Sequence, residues 1–135
     1  MVATPLSKKR VLYADFGRDL LEHPVTSDVT RRINEDAVKE SIRNLVLTDK
    51  DERPFRPKIG CDVRKLLFSN YMPETGLIIK ESVIATISAY EPRAEVIDVV
   101  VDPKPDLNSF TISITFRVIN SSDATRLDLV LNRIR

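Results

Sequence analysis

The hydrophobic pattern of the 135-residue chain changes period once, near Ala94. Before that point apolar residues recur at three and four: Ala37, Val38, Ile42, Leu45 and Val46 form one stripe, which predicts a helix. Asn34 reads as its N-cap, with Glu35 and Asp36 in a first turn where the helix dipole favours anions. The run Thr48-Asp49-Lys50-Asp51 ends it. Asp62 reads as the cap of a short helix through Ser69 that turns Val63, Leu66 and Leu67 inward. Pro73 suits the first turn of a third helix, from about Glu74 to Tyr90. Its stripe is Ile79, Val83, Ile87 and Tyr90, widened by Leu77 and Ile84, and Glu91-Pro92 stops it.

From Ala94 the period is two. A β-branched run covers 94–102, and a loop from Lys104 to Ser109 turns the chain. Phe110, Ile112, Ile114, Phe116 and Val118 then alternate with polar residues, the cleanest strand pattern in the chain. After a turn at 120–123, Leu127, Leu129 and Leu131 alternate in a last strand expected over Arg126–Ile134.

The fold class this predicts is α+β: a single small domain with two longer helices and a short one packed on a three-stranded antiparallel C-terminal sheet. Residues 1–27 read as an N-terminal extension of mixed structure, with Val11–Ala14 extended, a turn at Phe16-Gly17 and a break at Pro24. The domain proper is expected over 28–135, opening with a short strand in Asp28–Ile33. Between the first two helices lies a loop made stiff by Pro54 and Pro57.

Composition narrows the function classes. There are 21 basic and 20 acidic side chains, for a net charge of +1, so no basic excess argues for nucleic acid. Apolar runs are far shorter than the ~20 residues needed to span a bilayer, and no signal-peptide core follows Lys8, Lys9 and Arg10. Cys61 is the single cysteine, which forbids an internal disulfide and a cysteine-rich zinc site and suits a reducing cytosol. Arg outnumbers Lys 13 to 8, a lean towards fixed, partly buried ion pairs and protein–protein contact.

Catalytic chemistry finds little purchase. His23 is the sole histidine, lies beside Pro24 and reads as an exposed loop residue. No serine sits in a nucleophile-elbow context and the three glycines form no phosphate cradle. Paired carboxylates could in principle serve a glycosidase, which needs two roughly 5–9.5 Å apart. Glu22, Glu52 and Glu91 are nominees, but nothing marks a pair or a cleft among so many acids.

Two short clusters break the local rules. Glu91-Pro92-Arg93 stands where helix becomes strand. Pro92 there either simply stops the helix, or stiffens the joint so that Glu91 and Arg93 form a preordered pair for a partner's charged or polar helix ends. Glu52-Arg53-Pro54-Phe55 is a second such cluster, with Phe55 an anchor into the core or a partner. The last strand, as a terminal one, is expected at a sheet edge, where its backbone either accepts a strand from another chain or is shielded by Arg126, Asp128 and Arg133.

The order Asn34-Glu35-Asp36-Ala37 through Leu47-Thr48, then Glu52-Arg53-Pro54-Phe55-Arg56-Pro57-Lys58-Ile59-Gly60, Leu67-Phe68 and Tyr90-Glu91-Pro92-Arg93 resembles the baseplate wedge family typified by gene 25 of T-even-like contractile-tailed phages. The wider family includes the type VI secretion baseplate component TssE. The resemblance covers about residues 28–134 and implies a structural role rather than an enzymatic one. It implies that Glu91, Pro92 and Arg93 bind other baseplate wedge proteins, and that the sheet over Ser109–Ile134 starts tail-sheath assembly by strand addition. Also implied are a place in the virion tail baseplate, assembled in the host cytoplasm, and no cofactor, nucleic acid, membrane or small-molecule substrate. Family members have been labelled lysozyme-like, so a peptidoglycan hydrolase using paired carboxylates is the alternative. A small cytosolic regulator binding one protein by strand addition is a third.

Overall fold

Residues 10–68 and 72–133 are described by the computed structural model. The element order is β1 (Ala14–Phe16), β2 (Arg31–Ile33), α1 (Glu35–Leu47), α2 (Val63–Leu67), α3 (Pro73–Tyr90), β3 (Ala94–Lys104), β4 (Ser109–Val118) and β5 (Ala124–Asn132). The last three form an antiparallel sheet in the order β3-β4-β5, and β1 pairs antiparallel with β2 in a separate two-stranded ribbon. This is the expected α+β arrangement. The ribbon joins residues before position 27 to residues after it.

The core lies between the helices and one face of the C-terminal sheet. Val38, Ile42, Val46, Ile79, Val83 and Ile87 meet Val99, Ile112, Ile114, Phe116 and Leu127, all fully or almost fully buried. β4 is the central strand and its alternation is the cleanest, because a strand paired on both sides has its register fixed by the buried face. β3 carries a bulge between Val96 and Asp98. The extra residue swaps the inward set from Ala94 and Val96 to Val99 and Val101, which is why the run 94–102 does not alternate in sequence.

Several expectations need correction. Asn34 holds the N-cap position but makes no side-chain cap hydrogen bond; with φ 49° and ψ −116° its amide points back to the segment before β1. Asp62 likewise caps nothing, because its carboxylate pairs with Lys65 at 3.0 Å and Lys50 at 3.5 Å. α2 ends at Leu67, and Ser69 lies outside the described residues. Leu77 and Tyr90 are not core: they are 59% and 40% exposed, and the buried stripe of α3 runs through Thr75 and Thr86 instead. β1 starts at Ala14, so Phe16 is strand and the turn follows Gly17. His23 is half-buried, its Nδ1 accepting the Val25 and Thr26 N–H groups at 3.3 Å to brace a turn. β5 ends at Asn132, with Arg133 beyond it; Ile134 is outside the described residues.

Candidate functional site

The junction of α3 with β3 is built around Glu91. Its N–H donates to Ile87 O at 2.8 Å, the last bond of the helix, and Pro92 has no N–H to continue the ladder. Ala94 N–H then bonds back to Glu91 O at 3.2 Å, closing a tight turn through Pro92 and Arg93. Arg93 Nε donates to Glu91 Oε1 at 2.6 Å and Nη2 donates to Oε2 at 2.8 Å, a bidentate pair. Ser41 Oγ, from α1, donates to the same Oε2 at 2.5 Å.

Glu91 is only 3% exposed. Burial pushes its carboxyl up, but the hydrogen bonds from Arg93 and Ser41 and the Arg93 charge outweigh this and hold it below the ordinary carboxylate value. Arg93 is held more basic by the Glu91 carboxylate, against the opposing effect of burial. About a third of the Arg93 side chain reaches solvent, whereas Glu91 points inward. The surface at this joint is therefore exposed Pro92 and the outer part of Arg93, with Glu91 acting as the fixed base behind them.

The third wall of this site is one the sequence reading missed. The Tyr13 ring lies under Arg93, 5.5 Å from Cζ to the ring centroid, a cation–π contact. Asn34 holds it there. Asn34 N–H donates to Tyr13 O at 2.8 Å, its Oδ1 accepts from Leu12 N–H at 2.8 Å and Tyr13 N–H at 3.4 Å, and its Nδ2 donates to Arg10 O at 3.1 Å. Asn34's tolerance of positive φ and its four-way hydrogen bonding were the only clue in the residue types.

The second cluster splits. Glu52 turns back, its Oε2 accepting the Asp49 N–H at 2.9 Å, so its carboxylate braces its own loop. Phe55 is 95% exposed and is no core anchor. Arg53 and Arg56 line a groove of about 430 Å³ with Asp15, Ser41, Ile59 and Tyr90, beside the Glu91 pair that shares Ser41. Tyr90 Oη donates to Lys58 O at 2.9 Å and ties this loop to the end of α3.

β5 lies apart from these groups. It pairs only with β4 among the described residues, so its other edge is open. Arg126 and Asp128 do not shield that edge: they lie over the outer sheet face, where Ser113 of β4 donates to Asp128 at 2.6 Å and Arg126 binds both. The Ser113 hydrogen bond, then Arg126, hold the Asp128 carboxyl low. Arg133 leaves the strand, its N–H donating to Asn108 O at 2.8 Å. None of the nominated hydrolytic acids has a general acid's environment. Glu22 and Glu52 are exposed, and Glu91 is held ionised where protonation would be required.

The sequence profile of the family described as baseplate wedge protein gp25 matches residues 32–123. Baseplate wedge protein gp25 of Enterobacteria phage T4 is 31% identical over 112 residues, covering 83% of this chain and 84% of its own. Among solved structures, a candidate tail lysozyme from Geobacter sulfurreducens superposes with a TM-score of 0.68 at 27% identity, over 75% of this chain and 92% of that one. A chain of the anti-feeding prophage baseplate gives 0.62 at 23% identity, over 87% and 83%. A chain of the type VI secretion baseplate complex shares the fold at 0.58 and 16% identity, over 70% and 88%.

Proposed function

The chain belongs to the baseplate wedge protein gp25 family, and from that premise we propose that it links the wedge core of a contractile-tail baseplate to the first ring of the sheath. As a family member it is a structural component of the virion tail baseplate. Pro92 and Arg93, braced by Glu91, dock on other wedge proteins, and the open edge of β5 takes a strand of the tail sheath protein, which primes sheath assembly. The observation that carries this reading is the open β5 edge on the opposite flank of β4 from β3, the strand that the Glu91 turn feeds. One short domain thus offers two separate attachment points. The ordering at Arg93 supports the wedge half: a guanidinium already fixed by two bonds and a ring loses little freedom on docking.

Replacing Arg93 with Ala is expected to leave a folded protein that fails to enter wedges, read by sedimentation of assembled particles; normal assembly of that variant would remove the wedge assignment. For the sheath half, backbone amides of β5 that exchange freely in the isolated protein should become protected once sheath is added. The hydrolase reading rests on the fold shared with the candidate tail lysozyme. It predicts release of muropeptides from cell walls, and purified protein that releases none would remove it.

A further inference from the structure

The loop between α1 and α2 sorts its charges onto two sides. Asp62 pairs with Lys50 and Lys65, and Asp49 and Asp51 add to the field on Lys65. Glu52 is used within the loop. The two arginines go the other way, into the groove against α1 and α3. Among the described residues neither Arg53 nor Arg56 has an ion-pair partner. Among the described residues Asp15 is the sole acid lining the groove, and one of its oxygens already accepts the Phe16 N–H at 2.8 Å. The groove is thus left with a cationic excess in a protein whose overall charge is near zero.

The loop is also rigid. Arg56 N–H bonds to Arg53 O at 3.2 Å and Ile59 N–H to Arg56 O at 3.1 Å, two successive turns that put both arginines on one side. Asp51 N–H bonds to Pro57 O and Cys61 N–H to Thr48 O, each at 2.8 Å. Gly60 permits that closure: at φ 142° a Cβ there would lie 2.6 Å from Thr48 O. Phe55 stands between the arginines with its ring almost wholly in water. A preordered Arg–Phe–Arg turn has the composition of an interface hot spot, with little ordering entropy left to lose.

We propose that this groove docks an acidic segment of a neighbouring baseplate protein, whose carboxylates meet Arg53 and Arg56 and whose apolar side chain covers Phe55. The proposal rests on the baseplate reading but concerns a surface distinct from Arg93. Charge complementarity selects the occupant. A docked carboxylate pair supplies the counter-charge that the loop's own acids, facing Lys50 and Lys65, do not.

The test uses the full chain produced with the other tail proteins. Phe55→p-benzoylphenylalanine is photo-crosslinked in assembling particles, and the joined peptide is identified by mass spectrometry. A peptide of another baseplate protein carrying at least two Asp or Glu near the crosslink supports the proposal. A peptide without acids, a second copy of this chain, or nucleic acid overturns it. In parallel, Arg53→Glu with Arg56→Glu should reduce incorporation into wedges at least about tenfold, while Arg53→Lys with Arg56→Lys stays within about threefold. If the charge-reversed chain melts like the parent yet incorporates normally, the groove assignment falls. The baseplate reading survives that result provided Arg93→Ala still blocks assembly. Should charge reversal unfold the chain, the crosslinked peptide decides.

Discussion

Two phenylalanines in antiparallel strands mark the contrast between the halves of this protein. Phe116, on β4, is completely buried between the helices and the flanking strands. Phe16, on β1, is more than half exposed, and so are Leu20, Leu21 and Val25 on the same excursion. The sheet and helices are held by apolar burial. The ribbon before α1 is held by its own ladder, by the hydrogen bonds of Asn34, and by Tyr13, which stacks on Arg93 and packs against the edge of the core. It also has positive φ at Leu20, Ser27 and Asn34, a conformation that side-chain-bearing residues adopt at a cost. A region stabilised this way positions surface groups; it does not provide a core.

The largest test of that contrast sets the two phenylalanines against each other. Phe116→Ala should cost about 3–5 kcal/mol through lost burial and a cavity. Phe16→Ala should fall within about 0.5 kcal/mol, as for other exposed sites. Denaturant melts of both variants check this, and comparable losses would mean the ribbon is packed against something in the free protein.

A smaller effect is expected from Asn34→Ala. It strands the Leu12 N–H and the Arg10 carbonyl and forces a methyl side chain into positive φ, together worth about 1–3 kcal/mol. Its signature is local. Proteolysis within residues 10–33 should accelerate before the sheet amides begin to exchange, and uniform loosening of the whole chain would mean that ribbon and sheet open as one unit.

The smallest effect is in pH dependence. The Glu91 carboxyl titrates lower in the folded chain than its ordinary value of 4.5, so its contribution is complete above that value and is lost as pH falls through the folded one. Melting temperature should be level from about pH 7 to about pH 5 and decline below. In Arg93→Ala burial is opposed only by the Ser41 hydroxyl and the backbone N–H of residue 93, so the acid-side decline at this group should shrink or invert. Identical profiles for parent and variant would show that Arg93 does not hold Glu91 ionised.

Much of the fold was readable because periodicity reports burial. The stripe Val38–Ile42–Val46 and the alternation from Phe110 to Val118 each named the face that is buried. Where the pattern misled, a local contact had overridden it. Leu77 continues an apolar stripe in sequence yet lies at the rim of the α3–β3 contact, 59% exposed beside Val100 and Val101. Asn34 and Asp62 have cap chemistry, but partners distant in sequence, or Lys50 of the loop and Lys65 of α2, claim their oxygens. The candidate site was legible in part. Pro92 beside two opposite charges announced a stiff joint, but nothing in that tripeptide told which charge faced inward.

By itself the sequence determined the element types, the core faces of α1 and β4, the placement of proline-set joints and, through the motif order, the family. Those are properties of spacing, and spacing is local. Tertiary structure alone decided that Glu91 is buried and ionised, that Tyr13 backs Arg93, that Arg53 and Arg56 share a groove while Glu52 does not, and that Arg126 and Asp128 cover a face rather than an edge. Each of these depends on which distant group arrives within hydrogen-bonding distance, and a side chain's direction is set by that competition rather than by its neighbours along the chain.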